Sequence, residues 1–82
     1  MESEAIKHLI SIISVEYAKY GKLQEDASWA LCNFTAGDPK YVEYALANQI
    51  IENLVAALDF ADGVLLTNVL RSLNTLVLKF TL

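Results

Sequence analysis

Trp29 and Asn33 are the residues of this chain whose types and spacing best support chemistry. They lie in EDASWALCNF, residues 25–34, four positions apart, so a helix stacks them on one face. A carboxamide offers both a donor and an acceptor, and an indole ring one turn earlier offers a broad apolar face that attracts cations. Glu25 lies one further turn back on the same stripe, where a first-turn carboxylate also favours a helix N-terminus. Plainer roles stay open: Trp29 as a partly buried interface aromatic, Asn33 as a solvent-facing or locally hydrogen-bonded amide.

No second reactive set can be assembled. His8 and Cys32 are single in the sequence, too few for a metal site, which needs several such ligands. One histidine supports no Ser-His-Asp arrangement, and no Gly-rich loop is present to cradle phosphate. Cys32 reads as a small buried apolar residue. His8 reads as a surface or interface residue, and Tyr17, Tyr20, Tyr41 and Tyr44 as rim or packing aromatics. The expectation is a non-enzymatic protein with no cofactor and no metal.

The elements that must position this pair are bounded by composition. With 82 residues the chain is at most one small domain. Hydrophobic residues make up 55% of it, and the mean hydropathy of +0.37 is high for so short a protein. Apolar surface in excess of one small core points to self-association, or to a piece of something longer. Three glycines and one proline argue against disorder and against turn-rich β folds. The net charge of −4 disfavours nucleic acid as a partner and favours basic ones. A lone cysteine forms no internal disulfide, and the acidic start MESEAIKH is unlike a signal peptide. VLLTNVLRSLNTLVLKFTL is long enough to span a bilayer, but Asn68, Arg71, Asn74 and Lys79 would be costly in hydrocarbon. The expectation is a soluble, intracellular chain without a membrane partner.

Helical spacing governs the whole chain. The first segment runs from Glu2 to Ser14, or on to Tyr20, with Ser3 as N-cap and Ile6, Leu9, Ile10, Ile13 and Tyr17 on one side. The second, from Lys22 to Ala36, has Leu23, Ala27, Ala30, Leu31 and Phe34 as its apolar side and stops at Gly37. Asp38 caps a short third helix that begins at Pro39 and ends near Ala47. The fourth covers Gln49 to Asp59, DFADG forms a turn, and the fifth starts near Gly63 and is apolar on nearly all sides. The segments also repeat. Ala27, Ala30, Leu31 and Phe34 align with Leu66, Val69, Leu70 and Leu73, and Ile6, Leu9, Ile10 and Ile13 with Ile51, Leu54, Val55 and Leu58. A period near ~40, with one short and two longer helices per unit, suits an armadillo-type α-solenoid.

QEDASWALCNFTAG followed by YALANQIIENLVAALDFAD resembles the armadillo repeats of the importin-α (karyopherin-α) family. Trp29, Ala30, Leu31, Asn33, Phe34 and Gly37 fit that family's third-helix pattern, and ANQIIENLVAAL looks like its second helix with Glu52 in place of a proline. The match is good over residues 23–60 and weak elsewhere. It implies an all-α, armadillo-like solenoid of about two repeats: the first near 2–37, lacking its short leading helix, the second near 38–82. It further implies protein transport in nuclear import, a cytoplasmic and nuclear location, and Lys/Arg-rich cargo peptides on a concave face. By resemblance Trp29 and Asn33 face the cargo, with Glu25 behind them. The second unit departs from the pattern, because Asn68 and Ser72 stand at the corresponding positions. Ser72 is then the remaining peptide-binding candidate.

Two other readings fit the same residues. One is a structural, self-assembling helical module without cargo, either a natural fragment or an engineered minimal solenoid. The other is a small helical bundle that grips an amphipathic helix in an apolar groove. Self-association is expected through Leu73, Leu76, Val77 and Phe80 near the C-terminus, giving a homodimer or higher homo-oligomer, because a helix apolar all round must be covered on all sides.

Overall fold

A computed structural model describes the backbone of residues 2–81 and the side chains of residues 4–79. Those residues form five α-helices and no strand: α1 (Glu2–Ile12), α2 (Gly21–Ala36), α3 (Pro39–Ala47), α4 (Ile50–Ala57) and α5 (Gly63–Thr81), with a 3₁₀ turn at Val15–Tyr17. The start of α3 follows from local chemistry. The Asp38 carboxylate accepts the Lys40 N–H at 2.8 Å, and Pro39 sits in the first turn, where no N–H is needed. Two connections require left-handed backbone. Gly63 opens α5 at φ +52°, which suits glycine, whereas Gln49 before α4 adopts φ 59° with a side chain that disfavours it.

The first helix is shorter than its periodicity suggests. It ends at Ile12, and Ser14 is extended at φ −103°, ψ 164°. A helix end leaves its last carbonyls without partners. Here the Gln24 amide donates from Nε2 to the Ile12 oxygen at 3.1 Å and to the Ser14 oxygen at 2.8 Å. The buried Gln24 thereby fastens the end of α1 to the first turn of α2. Leu23, expected in the core, is 44% exposed because α2 turns its neighbour inward.

α2 lies between α1 and α5, α3 packs against α1 and α2, and α4 packs on α5 and touches α1. Ile6, Ile10 and Ile13 meet Leu31, Val42, Ala45, Ile50 and Leu54 in one core, and Phe34 adds an edge-on contact with Tyr41 at 5.4 Å between ring centres. Burial also corrects the internal register. The fully buried series Ile6, Ile10, Ile13 is matched by Ile50, Leu54, Ala57, one residue earlier than the aligned Ile51, Val55 and Leu58. Of the aligned Val69 and Leu70, Val69 is buried in the core while Leu70 is 49% exposed. Nor is α5 buried on all sides: Leu65, Val69 and Leu76 face the core while Val64, Leu70, Val77 and Leu78 are exposed. No helix among the described residues is long and apolar enough to cross a membrane.

Candidate functional site: the outer face of α2 and α5

The α2–α5 contact sets the geometry of the site. It is polar: Asn68 donates from Nδ2 to Ser28 Oγ at 3.0 Å, and Ser28 donates in turn to the Glu25 carbonyl at 2.8 Å. One turn on, Cys32 Sγ lies 3.2 Å from the Asn68 carbonyl and 3.3 Å from Ser72 Oγ. Thr35 closes the row by donating to the Cys32 carbonyl at 3.0 Å. Buried polar atoms need such partners, since each left unmatched costs about 1–3 kcal/mol, and no described buried side-chain N or O atom lacks one. Ser28 beside Asn68 and Cys32 beside Ser72 also show that the helices run parallel, because both contacts advance four residues in the same sense.

Each helical residue rotates about 100° from the one before. On facing parallel helices, the residue after a contact on one and the residue before it on the other therefore turn to the same side. Trp29 follows Ser28 and Asn33 follows Cys32; Thr67 precedes Asn68 and Arg71 precedes Ser72. All four are exposed, Trp29 by 55%, and they share the side of the layer turned away from α1 and α4. Glu25 lies half-buried one turn before Trp29 on that side. Lys22 and Asp26 pair at 3.2 Å beside it, both well exposed, so the pair adds little stability.

The structure thus brings Trp29, Asn33 and Glu25 together and separates them from the other expected residues. Ser72, expected on the peptide face, is 1% exposed and hydrogen-bonded to Cys32, so it belongs to the helix seam. Asn68, aligned with Trp29, is 5% exposed in the same seam. Leu76, expected at a self-association surface, is 1% exposed and fills this chain's own core. Leu73 is half-buried, Val77 is 56% exposed, and the Phe80 side chain lies outside the described residues.

Thr67 and Arg71 are the site residues that the sequence alignment misses. The signal was the polar pair Asn68 and Ser72, which occupies the contact position and moves the exposed face back by one residue. Two clefts lie elsewhere. One of about 380 Å³ is lined by Glu4, Lys7, His8, Ser11 and Tyr44; another of about 470 Å³ lies between Ile13–Val15 and the Asn53 and Ala56 side of α4, with Asp59 and Phe60 in the turn after it. Among the described residues no three His, Cys, Asp or Glu side chains gather as metal ligands would. Comparison of the chain with protein-family models, with curated proteins and with solved structures returns no match.

Proposed function

We propose that the chain is a non-enzymatic, intracellular protein-interaction module that holds an extended peptide against the outer face of α2 and α5. The observation that carries this reading is the joint exposure of Trp29 and Asn33 on one face of α2, with Glu25 one turn before them. The indole takes the stem of a peptide Lys or Arg, the Glu25 carboxylate one turn earlier favours its charge, and the Asn33 amide meets the peptide backbone. The layered contacts support a fold of two stacked units of armadillo type. Gly21 and Gly63, which begin the parallel helices α2 and α5, stand about 42 residues apart, a spacing suited to such units. In the importin-α family the peptides are nuclear-localisation cargo, and the same assignment is proposed for this chain.

Arg71 shapes the specificity of this face. It occupies the α5 side next to Asn33, where a second basic residue of the peptide would be repelled. The ligand is therefore an extended segment with a basic residue at Trp29 and a neutral or acidic one beside Arg71. Titration with such peptides tests this, since Trp29 is the only tryptophan. Its emission shifts on binding a peptide of one Lys and one Asp at suitable spacing, and shifts less with an all-basic one. A flat response to every peptide, with the protein shown folded, removes the proposal.

A further inference from the structure

The side of α5 opposite its contact with α2 is apolar from Leu66 to Val77. Asn68 and Ser72 face α2, and half a turn away stand Leu66, Leu70, Leu73 and Val77, with spacings of four, three and four residues. Leu70 is 49% and Val77 56% exposed; Leu66 and Leu73 are half-buried. α4 continues the surface. The cleft beside Ile13 and Val15 places Asn53 and Ala56 on the α1 side of α4, followed by Asp59 and Phe60 in the turn after it. The opposite side carries Ile51, Val55 and Leu58, with Val55 52% and Leu58 40% exposed. Because α1 and α2 lie on the other side of α4 and α5, these two stripes form one end face. None of its seven side chains is charged.

This arrangement inverts what an end face needs. The polar stripe of α5 is turned inward and the apolar stripe outward, although soluble monomers rarely show a continuous apolar patch of several hundred Å². We propose that this end face is an interface, and that its occupant is a second copy of the chain related by a twofold axis. Two features favour a copy over a different partner. None of the seven side chains is charged to select a complementary surface, and Glu52 stands only at the edge beside Val55, whereas apolar surface is complementary to itself. The stripe on α5 is also symmetric about the middle of that helix. Antiparallel pairing sets Leu66 against Val77 of the copy and Leu70 against Leu73 of the copy, both at once, as a twofold interface requires. The stripe from Leu66 to Val77 runs about 17 Å along α5, and a face two helices, about 20 Å, wide can bury roughly 350 Å² per partner, the size of a weak interface that dissociates on dilution. The peptide face with Trp29 lies on a different side, so this proposal stands independently of the peptide reading.

Sedimentation velocity on the full chain, over concentrations from 1 to about 100 μM (affinities of ~μM give half-dissociation in that range), tests it. The parent sediments as a dimer that dissociates on dilution. Leu70→Glu and Val55→Lys each raise the dissociation concentration at least tenfold with helical circular dichroism retained, since both side chains are already exposed in the monomer. Val64→Glu, on the peptide side of α5, leaves the dimer as it was. A Leu70→Cys, Leu73→Cys chain in a Cys32→Ser background forms disulfide-linked dimers, which reports the antiparallel register even where the charged variants unfold. A parent that stays monomeric throughout overturns the proposal, as does a dimer indifferent to Leu70→Glu and Val55→Lys, or one that fails to cross-link.

Discussion

Replacing Gln24 by Met isolates the tie between α1 and α2. Methionine has nearly the volume and flexibility of glutamine, so the site stays filled and the loss is of hydrogen bonds. Two bonds go: Nε2 to the Ile12 oxygen at 3.1 Å and to the Ser14 oxygen at 2.8 Å. Each is worth about 0.5–1.5 kcal/mol net, and an acceptor left buried adds its own desolvation cost of about 1–3 kcal/mol. The Ile12 carbonyl bears more of that cost, because its bond is buried while the bond to Ser14 is only partly so. Burying a thioether in place of an amide returns part of the loss. The net expectation is about 2 kcal/mol. For a domain of this size 1 kcal/mol corresponds to about 4–8 °C in Tm, so the variant melts about 10 °C lower. Thermal circular dichroism at one fixed protein concentration measures it, with Leu23→Met as the exposed control. If Gln24→Met melts within about 2 °C of the parent, the amide does not hold the helices together and the account of the α1 end is wrong.

Other outcomes follow from single sites. Gln49→Gly relieves the left-handed backbone at φ 59° and raises stability by up to about 1 kcal/mol after the glycine entropy loss, read as a higher urea midpoint. Asp38→Ala removes the acceptor for the Lys40 N–H and lowers stability by about 1 kcal/mol, read in the same titration. Asn68→Leu strips the donor from Ser28 Oγ and crowds the seam, which lowers stability by about 2–3 kcal/mol and increases hydrogen exchange in α5 ahead of α1. Arg71→Ala strengthens binding of an all-basic peptide about threefold, near 0.6 kcal/mol for an exposed charge, by calorimetry.

The helices were legible because their punctuation is local. Asp38, Pro39 and Gly63 act on their own neighbours, and the boundaries of α3 and the start of α5 lie where those residues put them. The face of each helix was less legible. Leu23 and Leu70 look like core residues by apolarity, yet both are exposed, while Gln24, Ser28, Asn68 and Ser72 are buried. Hydrophobic spacing finds an apolar side, but it cannot reveal polar groups whose partners lie on a helix about 40 residues away. That is why Ser72 reads as a surface residue in sequence and sits in a seam in the fold. The pair Trp29 and Asn33 was legible for the opposite reason. Its spacing within one helix already guarantees a shared face. What that face includes from α5, Thr67 and Arg71, depends on the seam and was not.

The most direct measurement of the central claim is backbone and side-chain amide NMR of the 15N-labelled chain during titration with a peptide carrying one Lys and one Asp. The reading predicts the largest shifts at the Trp29 indole N–H, the Asn33 side-chain amide, and the backbone amides of Thr67 and Arg71. Small shifts are expected at Leu66, Leu70 and Val55 on the other face. Shifts centred on the clefts beside His8 or Val15, with Trp29 and Asn33 unmoved, contradict it.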